Sequence, residues 1–202
     1  MIPAESLALF VVASLALAAT PGPNVALIVG TSLKHGRRAG VLTATGVNVG
    51  VVLQLALVSA GLAWLVESFA RHFDLVRYAG AAYLAYLAVR QWRSAGTGTN
   101  AAPSGRATFL RGLAVAFANP KTLLFHAAFL PQFITDPENP VPQIAVLALT
   151  FAGIALVSDI LWALIADRAR SAVAGRFSKL ADRISAGILM GGALLLLGVG
   201  RR

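Results

Sequence analysis

The sequence contains no cysteine and has little charge of either sign. Without cysteine, the chain has no disulfide bond, no thiolate nucleophile and no thiolate metal site. Charged residues make up only 12% of the 202 residues, whereas a soluble domain carries about 25%. Hydrophobic residues make up 57%. This composition is not that of an ordinary soluble domain.

The hydrophobic residues are gathered in blocks long enough to cross a membrane, which takes about 20 helical residues. Six helices are predicted, at residues 6–30, 39–66, 75–89, 108–133, 142–166 and 184–200. The sequence thus predicts an all-α integral membrane protein with one domain over residues 1–202. A flexible loop is predicted at residues 94–107, which are rich in Ser, Gly, Thr and Ala. This loop divides the chain into two halves of three helices.

The N-terminal segment shares two features with a secretory signal peptide: a short apolar run at residues 7–18 and small residues at Ala16 and Ala18 that resemble a cleavage site. No Lys or Arg precedes that run, however, and the acidic Glu5 does. We therefore expect this segment to be retained as the first helix.

Basic residues alternate between the connections and so predict the orientation. The first, third and fifth connections carry 12 Lys and Arg residues, whereas the other connections and the C-terminal tail carry four. By the positive-inside rule, residues 31–38, 90–107 and 167–183 are then cytoplasmic and both termini lie outside. If the two halves are related, they are expected to be inverted repeats, because each half has an odd number of helices. Because the cations lie in short loops, the net charge of +9 indicates contact with anionic lipid, not nucleic acid.

Proline interrupts two of the predicted helices near their middle. The first contains Thr20-Pro21-Gly22-Pro23-Asn24 and the fourth contains Asn119-Pro120-Lys121. Proline supplies no backbone N–H, so the carbonyls one turn earlier, at Leu17, Ala19 and Ala116, lose their helical donors. Such breaks must face protein or a water-filled cavity. The alternative is that each proline only kinks its helix for packing.

The same residues suit the start of a second half-helix after each break. Thr20 and Asn119 are predicted as N-caps, each followed by proline at the first helical position. A helix N-terminus attracts anions. Two such ends from opposite halves are expected to converge on one carboxylate.

Two ionisable residues, Lys121 and Asp159, lie inside predicted helices, where a charge costs about 2.5–3.5 kcal/mol. They are predicted to line the substrate path and to face each other. The alternatives are that a helix begins near Lys121, with its ammonium at the headgroups, and that Asp159 only bonds a neighbouring helix. Asp159 and His126 are the predicted proton-coupling groups, because both titrate. Weaker candidates are uncharged polar residues that often bond across helices: Asn48, Gln54 and Gln132.

Two glycine pairs have the spacing that permits close helix contact, Gly46/Gly50 and Gly187/Gly191. Chance is the alternative in a chain with 19 glycines. A homodimer is one arrangement that would use these pairs.

Seven motifs in order along the chain resemble the LysE/RhtB-type amino-acid exporters of bacteria. They are Ala19-Thr20-Pro21-Gly22-Pro23-Asn24, Lys34-His35-Gly36-Arg37-Arg38-Ala39-Gly40, Gly80-Ala81-Ala82-Tyr83-Leu84, Phe109-Leu110-Arg111-Gly112, Asn119-Pro120-Lys121, Phe129-Leu130-Pro131-Gln132-Phe133 and Ser158-Asp159-Ile160-Leu161-Trp162. The resemblance implies six membrane helices and export of amino acids or related compounds, driven by an ion gradient. The direction of transport comes from this resemblance alone.

We therefore predict a secondary-active exporter of amino acids or their derivatives in the bacterial inner membrane. The substrate is expected between the broken helices, with its carboxylate toward Lys121 and the half-helix N-termini. Its ammonium is expected to face Asp159 and the carbonyls that proline frees, at Leu17, Ala19 and Ala116. A proton is the expected coupling ion, and no cofactor or resident metal is predicted. No ATP-binding or hydrolase motif occurs in the sequence, so an enzyme is not predicted. An exporter of a metal or other inorganic cation stays open, because freed carbonyls suit a hard cation.

Overall fold

The computed structural model describes residues 2–64, 69–93, 104–173 and 178–198. These ranges form eight α-helices and the short 3₁₀ helix Leu130–Phe133, with no strand, which confirms the all-α class. The helices are α1 Ala4–Ala19, α2 Pro23–His35, α3 Arg37–Trp64, α4 Phe69–Arg93, α5 Gly105–Phe117, α6 Pro120–Ala128, α7 Pro140–Val173 and α8 Ser178–Gly198. Residues 94–103 of the predicted flexible loop lie outside the described residues.

Two helices contain a stretch that is long and apolar enough to cross a membrane alone, at Arg37–Val58 in α3 and Pro140–Arg170 in α7. The pair α1 and α2 meets the same criterion as one span bent by 49°. So does α5 with the segment Pro120–Phe133, bent by 47°. Length and composition of the described helices thus support two membrane spans, or four if each bent pair is one span.

The first break separates α1 from α2. α1 ends at Ala19 because Thr20 precedes Pro21 and takes an extended conformation. Thr20 was predicted as an N-cap, and this is wrong: it ends α1, and its Oγ1 donates to the Ala16 carbonyl at 2.8 Å. α2 begins instead at Pro23, after the extended Gly22. The second proline of the motif, rather than the first, occupies the initial helical position.

The second break follows the prediction. Asn119 is extended and its side chain accepts a hydrogen bond from the Lys121 backbone N–H at 3.0 Å. Pro120 takes the first helical position of α6. The predicted N-cap at Asn119 is therefore confirmed.

The two halves of the chain are interleaved. α1 packs on α7 of the other half, and α5 packs on α3 in the same way. α4 packs against α8, and α2 contacts α3, α7 and α8. α2 therefore lies inside the bundle, with nine of its 13 residues buried, whereas only Phe10 and Ser14 of α1 are buried. Large apolar side chains such as Val12, Leu149 and Leu194 are more than half exposed on its outside, where lipid would cover them.

Glycine brings α3 and α5 into backbone contact. A Cβ added at Gly46 would overlap the Phe109 carbonyl, and one at Gly50 would overlap that of Leu113. Close contact is thus confirmed for the pair Gly46/Gly50. At Gly187 and Gly191 an added Cβ would meet nothing within 4 Å in the described part of the chain. The second pair thus makes no close helix contact among the described residues, and contact in a homodimer stays a prediction.

Candidate functional site at the two broken helices

Lys121 connects the two helix breaks directly. It is the second residue of α6, and its Nζ donates to the Leu17 carbonyl at 2.6 Å and to the Thr20 carbonyl. Gly22 makes room for this side chain, because an added Cβ would lie 3.1 Å from Lys121 Cδ. The Leu17 carbonyl, which lacks a helical donor at Pro21 and accepts from the Thr20 N–H at 3.2 Å, is thus also bonded by an ammonium from the other half of the chain.

Two neighbouring helices complete this region. Ser158 in α7 donates from Oγ to the Ala18 carbonyl at 3.4 Å. On α8, a Cβ added at Gly192 would lie 2.9 Å from Pro23 Cγ and 3.9 Å from Pro120 Cδ. Both helix-starting prolines therefore lie against one glycine of α8, and the two breaks share one place in the bundle.

A small cavity of about 40 Å³ lies between the breaks and α7. Its polar lining comes from both breaks and from α7: Thr20, Gly22, Asn24, Asn119, Lys121, Thr122 and Asp159. Ligand pockets usually measure about 300–1,000 Å³, whereas this volume suits a few water molecules. The structure thus brings most of the predicted site residues together, around a space that is too small for an amino acid in this conformation.

The two charged groups of this cavity are not in direct contact. Asp159 is only 7% exposed, and no ion pair within 4 Å joins it to Lys121 among the described residues. Asn24 is also buried, and its Oδ1 has no hydrogen-bond partner there. A carboxylate, an amide oxygen and an ammonium thus line one small cavity, and Asp159 and Asn24 are buried in it.

Gln54, a weaker candidate from the sequence, lies at the second break. Its Nε2 donates to the carbonyls of Phe117 at 3.2 Å and Asn119 at 3.4 Å. Phe117 is the last residue of α5, and Asn119 lies between α5 and α6. Gln54 therefore supplies a donor to the Phe117 carbonyl, whose helical donor, the Lys121 N–H, bonds the Asn119 side chain instead. The Asn119 carbonyl also accepts from the Leu123 N–H at 3.1 Å, as the start of α6 requires.

The other predicted polar residues lie elsewhere. His126 is fully buried against the ring of Phe151, with ring centroids 4.6 Å apart, and neither of its ring nitrogens has a partner among the described residues. Asn48 donates to the Ala152 carbonyl at 2.8 Å and so joins α3 to α7. Gln132 is exposed and bonds within its own turn. None of the three lines the small cavity. No group of three His, Asp or Glu residues suited to a metal occurs in the described ranges.

A larger cavity of about 610 Å³ lies between α2, α4, α5 and α8, and the sequence reasoning missed it. Its charged lining consists of Lys34, Arg90, Arg111 and Asp182, together with His35. The basic residues among these were counted as loop charges or left out. The signal available in the sequence was Arg111, which lies three residues inside the fourth predicted helix.

The described residues form a helical bundle with an apolar exterior, and its two proline breaks, one from each half, meet at a cluster of charged residues. This is the architecture of a membrane transporter core. The chain matches the family model for the LysE type translocator over residues 15–200. It belongs to that family and is therefore a multi-pass membrane transporter. Both the resemblance and the prediction that the chain is not an enzyme are thereby confirmed.

Individual relatives cover most of the chain. A homoserine/homoserine lactone efflux protein of Salmonella typhimurium is 32% identical over 171 residues, 82% of each chain. A leucine efflux protein of an Enterobacter species is 35% identical over 147 residues, 70% of each chain. An uncharacterized membrane protein of Vibrio cholerae is 31% identical over 134 residues, or 64% of this chain and 65% of that protein. No solved structure matches this sequence significantly.

Proposed function

We propose that this protein is a secondary-active exporter of amino acids or their derivatives across the bacterial inner membrane. The substrate class is supported by relatives named for efflux of homoserine and leucine. The structural observation that carries the proposal is the link from Lys121 Nζ to the Leu17 and Thr20 carbonyls, beside the buried carboxylate of Asp159. A lysine and an aspartate held at two helix breaks in a membrane protein are costly unless they serve a solute path.

Six membrane spans in two inverted halves are part of this proposal. The spans are α1 with α2, α3, α4, α5 with α6, α7, and α8. The packing supports the inverted arrangement, because α1 lies on α7 as α5 lies on α3, each first broken segment contacting the middle helix of the opposite half. With the basic connections cytoplasmic, both termini lie outside.

In the proposed bound state, the amino acid lies between the breaks. Its carboxylate faces Lys121 and the N-termini of α2 and α6, and its ammonium faces Asp159. Lys121 itself bonds the Leu17 carbonyl, so the substrate's ammonium does not need that oxygen. The cavity of about 40 Å³ must widen to admit a substrate. Rocking of the two halves about the breaks would widen it.

Coupling to a proton gradient is proposed to use Asp159. Its carboxyl lines the small cavity, so a proton there would change the charge that the substrate's ammonium meets. His126 is the weaker candidate, because it lies among aromatic rings outside that cavity.

Flux in proteoliposomes tests the proposal. Vesicles containing the purified protein receive a mixture of labelled L-amino acids and an imposed pH gradient. We expect gradient-dependent flux of at least one amino acid, and a loss of about tenfold or more in Lys121→Gln and in Asp159→Asn. The matched controls are Lys179→Gln and Glu138→Gln, which change exposed charges and should keep wild-type flux.

Two other results would contradict the proposal. Wild-type flux in Lys121→Gln or Asp159→Asn, with folding verified by size exclusion, would refute the site. Flux of no amino acid, combined with protection of cells against metal salts, would favour the export of a cation instead.

A further inference from the structure

The larger cavity, at Lys34, Arg90, Arg111 and Asp182, lies at the same end of the bundle as the predicted cytoplasmic connections. Lys34 stands near the end of α2 and Arg90 near the end of α4, while Asp182 stands near the start of α8. We call this space the cationic cavity. Its volume of about 610 Å³ falls in the range of ligand pockets, about 300–1,000 Å³. It is the one of the two described cavities that has room for an amino acid.

Positive charge in the cationic cavity exceeds negative charge. Lys34 Nζ lies 3.9 Å from Asp182 Oδ2, so these two largely offset each other. Arg90 and Arg111 have no ion-pair partner within 4 Å in the part of the chain that the structure describes. The cavity therefore attracts an anionic group.

Arg111 is the cation that is best placed to bind such a group. It is an interior residue of α5 and only partly exposed. Its Nη2 donates to Gln91 Oε1 at the long distance of 3.4 Å, and its Nε is buried with no partner among the described residues. A guanidinium has five donors in a planar fork that matches a carboxylate. An incoming carboxylate would satisfy the open donor.

The rest of the lining suits the other parts of an amino acid. Asp182 offers a carboxylate to an ammonium, and Leu27, Leu87 and Leu113 provide apolar surface for a side chain. Leu27 also connects the two cavities, because it lies one helical turn after Asn24, which lines the small cavity at the breaks. The cationic cavity therefore lies beside the broken-helix site on the same helix, α2.

We propose that the cationic cavity is a loading site, where Arg111 binds the carboxylate of an amino acid before the substrate reaches the broken helices. This inference rests on the proposed function, and it adds a second substrate-binding site formed by other residues. Asp182 orients the substrate by its ammonium. An anionic lipid headgroup offers similar chemistry, so the test separates a free amino acid from lipid.

Because the chain lacks cysteine, a single introduced cysteine reports on the cavity without background. Ala114→Cys places a thiol in the lining, and Lys179→Cys places one at an exposed position outside it. In nanodiscs of phosphatidylcholine, a negatively charged methanethiosulfonate should label Ala114→Cys about tenfold faster than a positively charged one. Lys179→Cys should show little preference. Equal preference at both positions would overturn the proposal.

Protection of the introduced cysteine from labelling then identifies the ligand of the cationic cavity. A millimolar mixture of standard L-amino acids should slow labelling of Ala114→Cys several-fold, whereas the same amino acids as amides, which lack the carboxylate, should not. Arg111→Gln added to this variant should abolish the protection, and Arg111→Lys should retain part of it. Protection by both mixtures, by neither, or only by phosphatidylglycerol in the disc would each overturn the proposal.

Transport kinetics separate this inference from the proposed function. Arg111→Gln should raise KM for the transported amino acid by about tenfold or more while leaving kcat within about twofold. Normal flux with no protection of Ala114→Cys would overturn the loading site and leave the exporter standing. Protection of Ala114→Cys without flux of any amino acid would support amino-acid binding in the cationic cavity but overturn both its role in loading and the proposed export.

Discussion

The Nζ atom of Lys121 lies 2.6 Å from the carbonyl oxygen of Leu17, although the two residues are 104 positions apart in the chain. The ammonium of one broken helix thus satisfies the backbone of the other. This bond explains how an intramembrane lysine is tolerated, since its charge meets two carbonyls that have lost or weakened their helical donors. It also connects the two halves at the place where, in the proposed mechanism, they separate to admit a substrate.

Removing this link should destabilise the protein as well as slow transport. A hydrogen bond to a charged group contributes about 1.5–3 kcal/mol, so Lys121→Met should lower the thermal unfolding midpoint in detergent by several degrees. Lys121→Arg keeps the charge and should fall between Lys121→Met and wild type. Lys179→Met, at an exposed position, should match wild type. Equal midpoints for Lys121→Met and Lys179→Met would show that the link does not stabilise the fold.

The glycine contact between α3 and α5 should not tolerate an added methyl group. Gly46→Ala and Gly112→Ala place a Cβ onto the carbonyls of Phe109 and Thr43. Helix separation then removes close backbone packing, and we expect a loss of folded protein on size exclusion. Gly187→Ala is the matched control, because its Cβ meets no described residue within 4 Å. It should be neutral or stabilising by up to about 1 kcal/mol. Comparable loss in the control would argue against a specific contact.

The connection between α2 and α3 depends on a glycine with positive φ. Gly36 has φ 85° and ψ 177°, a region open essentially only to glycine. Gly36→Ala should therefore cost about 1–3 kcal/mol. An added Cβ would also lie 2.9 Å from Arg170 Nη1. Thermal unfolding measures the cost, with Gly153→Ala as a control whose added Cβ meets nothing within 4 Å in the described ranges. An equal midpoint in the two variants would contradict the prediction.

The same connection is held to α7 by a side chain. The Arg37 backbone N–H donates to Asp167 Oδ1 at 2.8 Å. Asp167→Ala removes this acceptor, so the Arg37 amide should exchange with deuterium faster, whereas Asp167→Asn keeps an oxygen there and should exchange near the wild-type rate. Hydrogen exchange followed by mass spectrometry of the peptide around Arg37 is the measurement. Unchanged exchange in Asp167→Ala would mean that the amide is protected by other means.

The N-cap at the second break gives a further test. Asn119 accepts from the Lys121 N–H through its side chain, so Asn119→Ala should cost about 0.5–2 kcal/mol. Asn119→Asp retains an acceptor oxygen and should recover much of this stability. The unfolding midpoints of the two variants decide the matter, and a lower midpoint for Asn119→Asp than for Asn119→Ala would contradict the capping role.

Local chemistry explains which parts of the site were predictable. Proline forbids the helical hydrogen bond wherever it stands, so the breaks near Pro21 and Pro120 could be predicted from the sequence. At the first break two prolines compete for the initial helical position, and the chain uses Pro23. Nothing in the local pattern of Thr20-Pro21-Gly22-Pro23 decides between them, because each proline is preceded by an acceptable N-cap residue. The packing of Pro23 against Gly192 distinguishes the two.

The sequence could not show which of the uncharged polar residues and histidines in the helices belong to the candidate site. Asn48, Gln54 and His126 are all polar residues in apolar helices, and each had a functional and a structural interpretation. Their environments differ: Gln54 bonds the second break, Asn48 joins α3 to α7, and His126 packs on Phe151. A single sequence does not contain the rotation of each helix about its axis, so these differences depend on the packing.

The sequence by itself determined that this chain is helical, apolar and interrupted twice by proline, because hydrophobic composition and the missing proline N–H act locally. It also indicated the residue types that an intramembrane site needs. Only the tertiary structure decided that Lys121 bonds Leu17, that both breaks share Gly192 and that four charged side chains surround a separate cavity. Those relationships join residues far apart in the chain, and they exist only when the helices pack in one particular order and rotation.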